Sequence, residues 1–292
     1  MHTKRGDAFS YYHPLVNFLF FVAVIGFTVV IQHPAYLAAG FVAGLIYYFI
    51  LHGRKSIAFF LALIPTFFII AAINPIFNTD GVTVLFTYFG RPYTFEALCY
   101  GFIVAAMFLS MIVWFGCYNI VLTSDKFTSL FGNLIPALSL LLVMILRLIP
   151  SFMRKATQIA ACRKSIGKGI SEGCSLKEKV TDGMTILSAL TDWALEGSVI
   201  SGDSMRARGY GAAKRSSYQI YRMTARDYVL LATMLIMALA VVFFANTAVE
   251  IVPRFSVPAV NWAFLLYCLL FLIPSLLQIK EDIQWHISIS KI

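Results

Sequence analysis

An all-α polytopic membrane protein with about six membrane-crossing helices is the fold class this sequence predicts, and three observations predict it. Of its 292 residues, 60% are hydrophobic and only 13% are charged, a balance that soluble domains of this length do not show. Six apolar stretches reach or approach the roughly 20 residues that a helix needs to cross a bilayer. The charge is also concentrated, because fifteen of the 23 lysines and arginines fall in Thr123–Arg226, between strongly hydrophobic segments.

The first two stretches, Leu15–Ile31 and Ala35–Leu51, are short for spans and fit either a tilted pair or a re-entrant hairpin. Ile57–Ile73 is the third. It is followed by Asn74-Pro75-Ile76-Phe77-Asn78-Thr79-Asp80-Gly81, dense in turn formers, and by the β-prone run Val82–Phe86, so a turn and short extended structure are expected there. The fourth span, Ala97–Leu122, follows Arg91-Pro92-Tyr93, with Glu96 near its start, where a carboxylate suits a helix N-terminus. Thr123-Ser124-Asp125 then offers capping residues for a helix beginning near Lys126.

Pro136–Ile149 is apolar but only fourteen residues long, too short to span. It is expected to continue as one kinked helix through Ser151–Lys164, since Pro150 permits a bend and the second half is polar and basic. After a break at Gly167-Lys168-Gly169 the pattern recurs. In Asp182–Ile200 the apolar Met184, Leu187, Leu190, Ala194 and Leu195 fall near helical spacing, while Asp192 and Glu196 share another face. Tyr228–Ala245 and Ala259–Ile279 are the fifth and sixth spans. The sequence therefore divides into an N-terminal membrane part, residues 1–122, a basic insert, 123–226, and a C-terminal membrane part, 227–292.

Charge asymmetry predicts the orientation. Lys4 and Arg5 precede the first stretch, Arg54 and Lys55 separate the second from the third, and the insert carries fifteen basic residues against seven carboxylates. Loops on the other side hold only Arg91 and Arg254, offset by Asp80, Glu96 and Glu250. The positive-inside rule then places both termini and the insert in the cytoplasm of a multi-pass cell-membrane protein. Gln32-His33-Pro34, after the first stretch, lacks a small-x-small pattern, which argues against a cleaved signal peptide.

Several function classes lose support. Nucleic-acid binding is disfavoured, because the basic insert has no zinc-finger spacing and few aromatics on which bases could stack; contact with the lipid bilayer is a secondary role for its charge. Five scattered cysteines, Cys99, Cys117, Cys162, Cys174 and Cys268, lack the C-x-x-C spacing of a metal site or a disulfide framework. His2, His13, His33, His52 and His286 sit near span ends or termini and make no ligand pair, so no metal and no cofactor is expected. Gly167-Lys168-Gly169 is not a phosphate loop, and no catalytic constellation stands out. No span interior holds a Lys, Arg, Asp or Glu, which weighs against an ion-coupled carrier.

The positive features converge on two helix ends. One amphipathic helix is expected to finish at Cys162-Arg163-Lys164 and the other at Ala207-Arg208-Gly209, each placing an arginine where the helix dipole favours a cation. A single such arginine is usually a solvated charge; two at corresponding ends point to a partner with carboxylates, which the guanidinium fork grips two-pronged.

Taken with Asn74-Pro75-Ile76-Phe77-Asn78 through Gly81, Thr123-Ser124-Asp125-Lys126-Phe127, Arg147-Leu148-Ile149-Pro150 and Ala207-Arg208-Gly209-Tyr210-Gly211, the chain resembles the transmembrane T component of energy-coupling-factor (ECF) transporters. The resemblance covers most of its length. It implies a scaffold with no enzyme activity of its own, which links two ABC-type ATPase subunits to a separate small substrate-binding membrane subunit for uptake of a vitamin or other micronutrient. The family ends two long coupling helices in X-Arg-X signatures, usually Ala-Arg-Gly, that dock the ATPases. Ala207-Arg208-Gly209 matches that signature in full, whereas Cys162-Arg163-Lys164 keeps only the arginine. Lys164 takes a left-handed cap less readily than glycine. The resemblance further implies that apolar positions on the two helices, Leu140, Leu141, Met144, Leu187 and Leu190, face the substrate-binding subunit; packing beneath the chain's own spans is the other use for such positions. The competing reading is a stand-alone secondary transporter or membrane-embedded enzyme whose basic insert binds anionic lipid.

Overall fold

The computed structural model describes residues 7–53, 56–78, 81, 83–88, 91–132, 136–167, 175–212, 221–245 and 258–289. Lys4, Arg5, Arg54, Lys55, Asp80, Val82, Lys168, Gly169, Cys174, Glu250 and Arg254 lie outside the described residues. The chain is an all-α polytopic membrane protein: among the described residues five helices are long and apolar enough to cross a membrane, and a sixth apolar helix has 17 residues. It forms two compact units, one of residues 1–127 with 221–292 and one of residues 128–220. The two sequence-distant membrane parts thus make a single body.

In the first unit, α1 (Pro14–Val30) and α2 (Pro34–His52) begin in the same way. A histidine precedes a proline at the first helical position, and the imidazole Nδ1 of His13 or His33 accepts the N–H of Leu15 or Ala35, each at 3.2 Å. Proline suits that position because its missing N–H would have had no partner there. His33 Nε2 lies 3.1 Å from the Pro258 carbonyl oxygen, so Nε2 carries the proton and Nδ1 is free to accept. These histidines are caps, a role that accounts for their place at span ends.

A helix of 17 residues rises only about 25 Å, yet α1 traverses the bundle. His13 N–H donates to Asp227 Oδ1 at 3.0 Å, at the start of α8 (Ala225–Phe244), while His33, just past the other end of α1, reaches Pro258 beyond the end of α8. The first two stretches are therefore separate helices running in opposite directions, not a re-entrant hairpin.

Helix α3 (Ser56–Phe77) continues through Asn74-Pro75-Ile76-Phe77, where the sequence reads as a turn. Pro75 cannot donate to the Ala71 carbonyl, and that oxygen instead faces Gly101 of α4 (Phe95–Val121), where an added Cβ would stand 2.5 Å from it. The ladder resumes with Asn78 N–H on the Asn74 carbonyl at 3.0 Å. Beyond it the expected extended structure is a hairpin, β1 (Val84–Tyr88) antiparallel to β2 (Arg91–Thr94), with Phe86 stacked on Tyr93 at 4.5 Å. Glu96 is buried in the first turn of α4 and accepts the Thr83 N–H and hydroxyl, which ties the hairpin to the helix.

The core of this unit sits where α2 packs against α4 and α9 (Ala263–Ile289). Fully buried Trp114 donates its indole N–H to the Gly40 carbonyl at 3.1 Å and meets Phe20, Phe21 and Phe271 edge-on. Gly40 and Gly44, four apart on α2, leave room for Tyr267 and Phe271 of α9 and for Trp114. Small residues at this spacing let helix backbones approach where lipid supplies no hydrophobic drive. On α3 and α8, by contrast, Leu61, Phe68, Val229 and Ile236 among others are exposed, as lipid-facing side chains are.

In the second unit, α6 (Pro136–Ser165) runs through Pro150 as one helix, and α7 (Leu176–Ala207) begins before the apolar periodicity does. Ser175 and Glu178 form a capping box there, with Glu178 Oε2 accepting the Ser175 N–H at 3.0 Å. At 30 and 32 residues the helices are each about 45 Å long or slightly more. They pair antiparallel through Phe152 against Trp193, edge-on at 5.5 Å, with Lys155 over the same indole and Arg163 on Asp182. Short helix α5 (Ser124–Gly132) precedes them.

Candidate functional site

The two arginines sit differently on their helices. Helix α7 ends with Arg208 as its C-cap, and Gly209 follows at φ +79°. The Gly209 N–H bonds the Arg206 carbonyl at 2.9 Å and the Tyr210 N–H bonds the Met205 carbonyl at 3.0 Å, the paired bonds of a Schellman ending. Gly211, at φ +90°, and the Ala212 N–H on the Gly209 carbonyl extend the turn. Arg208, Gly209 and Tyr210 are exposed on this hydrogen-bonded tip, and no ion pair engages Arg208 among the described residues. Ala207 is exposed in the last helical turn.

Helix α6 carries Cys162-Arg163-Lys164 in its last turn. It runs on to Ser165, and Gly167 at φ +74° supplies the left-handed residue, with its N–H on the Lys164 carbonyl at 3.1 Å. The physical reason is that lysine at position 164 resists the conformation that glycine adopts freely. Arg163 is thereby left inside the last turn, and its guanidinium donates to Asp182 Oδ1 at 2.5 Å, with both side chains 19% exposed. Cys162 and Lys164 beside it are exposed. One tip therefore presents an exposed guanidinium with no ion pair among the described residues, while the other carries its arginine turned onto the neighbouring helix.

This difference has a measurable consequence. A charge-assisted hydrogen bond between two largely buried groups contributes about 1.5–3 kcal/mol, so Arg163→Ala and Asp182→Ala should each loosen the α6–α7 pair. The double variant should cost little more than either single one. A double-mutant cycle on protease resistance of the second unit checks it, and additive losses would mean the pair is not coupled.

The apolar positions also separate. Leu141 and Leu187 are 54% and 57% exposed, Leu140 and Met144 are half-buried, and Leu190 is buried. The first two are free to meet another surface; Leu190 is already covered.

A polar knot at the face where α1 starts and α4 ends went unread in the sequence. Asp7 Oδ2 accepts from Tyr47 OH at 2.6 Å and from Ser10 N–H at 3.2 Å, and Lys126 Nζ donates to Ser10 Oγ at 2.6 Å and to the Val121 carbonyl at 3.0 Å. Ala8 N–H donates to Gln278 Oε1 at 2.7 Å. Burial pushes the Asp7 carboxyl above the usual range, against the pull of Tyr47, and burial pulls the Lys126 amine down. This network fastens residues 7–13 to four helices. Tyr47, Val121, Lys126 and Gln278 bring it onto α2, α4, α5 and α9, and among the described residues no further Asp, Glu, Lys or Arg continues it into the apolar part of the spans. Among the described residues no three His, Cys, Asp or Glu converge as a metal site, and Cys99, Cys117, Cys162 and Cys268 are free thiols. A scan against protein-family models and a search of curated proteins return no match to this chain.

Proposed function

We propose that this chain is the energy-coupling membrane scaffold of an ECF-type importer, joining two ABC-type ATPase subunits to a separate substrate-binding membrane subunit for a vitamin or other micronutrient. The observation that carries the reading is the exposed, hydrogen-bonded tip Arg208-Gly209-Tyr210, in which a guanidinium without an ion pair among the described residues stands at the negative end of a 32-residue helix. Such a tip fits an acidic groove on a partner. Helices as long as α6 and α7 suit transmission, because a push at one end is delivered tens of ångströms away by a stiff rod. ATP-driven closure of the ATPases moves the tips, and exposed apolar residues such as Leu141 and Leu187 pass that motion to the substrate-binding subunit. This chain hydrolyses nothing itself.

The reading requires the tips in the compartment that holds ATP. Arg222, Arg226 and Lys280 gather at one face of the membrane unit, and by the positive-inside rule that concentration of charge supports a cytoplasmic face there. In a cysteine-free background, Ser175→Cys should react with a membrane-impermeant maleimide only after permeabilisation, and Asn78→Cys without it. The reverse pattern would put α7 outside the cell and end the proposal.

A further inference from the structure

A cavity of about 900 Å³ opens in the membrane unit where α8 begins and α9 ends. Three cations line it, Arg222, Arg226 and Lys280, and no ion pair among the described residues engages any of them. Two carboxylates share the lining. Asp227 is buried and turned into the wall, Oδ1 accepting the His13 N–H and Oδ2 the Thr224 N–H and hydroxyl, while Glu281 is exposed. The positive groups thus outnumber the negative ones, and the more deeply set carboxylate is already satisfied. Leu277 and Ala8 add an apolar part to the wall.

The surroundings select the anion. Tyr11 in the lining and Tyr228 beside it are 76% and 58% exposed, amphipathic rings of the kind found at headgroup depth. From Arg226 the same face of α8 continues through Val229 and Ile236, 64% and 65% exposed, and Leu276, one turn from Lys280 on α9, is 50% exposed. A ligand with its phosphate among the cations meets apolar helix surface immediately below. We propose that this cavity is a binding site for the phosphate headgroup of an acidic membrane lipid, whose acyl chains lie along α8 and α9. The site is independent of the coupling role proposed above.

Native mass spectrometry of the purified full chain, offered phosphatidylglycerol and phosphatidylcholine in equal amounts, tests it. Retention of phosphatidylglycerol in preference to phosphatidylcholine is expected. The Arg222→Gln, Arg226→Gln, Lys280→Gln triple variant should lose that preference by on the order of ten- to a hundred-fold, from the contribution of each basic residue near an anionic surface. Arg222→Lys with Arg226→Lys should keep most of it, which separates lost charge from lost folding. Lys177→Gln with Lys179→Gln, on α7, should change nothing. Equal retention of the two lipids, or an unchanged preference in the triple variant, would overturn the proposal. Displacement of the lipid by millimolar inorganic phosphate would also overturn it, because the site would then read free phosphate and not a lipid.

Discussion

Arg208→Ala is expected to abolish or severely weaken retention of the ATPase subunits on the purified complex, and with it ATP-dependent uptake in vesicles. Removing one partner of a desolvated charge pair leaves a buried carboxylate unpaired, a loss of roughly 2–5 kcal/mol. Arg208→Lys should restore only part, since an ammonium carries the charge without the planar fork. Arg163→Ala should weaken retention less, for a structural reason: its guanidinium is held by Asp182, so its first effect is on the α6–α7 pair. Gly209→Ala tests the tip itself. At φ +79° an alanine is strained, and the bonds from Gly209 and Tyr210 that hold Arg208 at the end of the helix should loosen. Lys179→Ala, near the other end of α7, controls for general loss of positive charge. Full ATPase binding by Arg208→Ala, or equal damage from Lys179→Ala, would mean that Arg208 is an ordinary solvated charge.

The second large effect lies in the membrane unit. A Cβ at Gly44 would stand 3.0 Å from Trp114 Nε1 and 3.1 Å from Val113 Cγ1, and one at Gly40 would stand 2.8 Å from Tyr267 OH and 3.1 Å from Phe271. Trp114, Val113, Tyr267 and Phe271 are all buried, with nowhere to retreat. Gly44→Leu and Gly40→Leu should therefore each destabilise the bundle by about 1–3 kcal/mol or more, the usual cost of overpacking. Gly26→Ala, with nothing within 4 Å of the new methyl, should leave stability unchanged or slightly raised. Thermal unfolding of the purified variants reads the difference. Near-wild-type midpoints for both leucine variants would show that α2 is not packed this closely against α4 and α9.

The apolar helices were legible because their signals are local. Twenty apolar residues declare a membrane helix, a proline between an apolar and a basic half leaves a long helix continuous, and the glycine after Arg208 marks the end of α7. Two local signals were present but read too weakly. Ser175 and Glu178 announce the start of α7 ahead of its apolar periodicity, and His13-Pro14 and His33-Pro34 open α1 and α2 as a repeated pair. Reading Asn74–Gly81 as a turn failed at its first half because Pro75 sits one turn from the end of α3, where the lost bond strands only one carbonyl and Gly101 covers it. What could not be read is tertiary. Nothing in the local sequence says that Arg163 turns to Asp182, that Asp7 meets Tyr47, or that Ala8 reaches Gln278, because such pairs are fixed only once helices distant in sequence have packed. The asymmetry of the two tips follows from the first of these and alters what each arginine is free to do.

The central claim is that this chain couples ATPases to a separate binding subunit, and mild solubilisation of native membranes followed by affinity purification of the chain tests it most directly. Mass spectrometry should find two ATPase subunits and one small membrane protein, and vesicles holding that assembly should accumulate substrate only when ATP is supplied on the ATPase side. A chain that purifies alone, and that transports or turns over a substrate by itself in vesicles, would contradict the account.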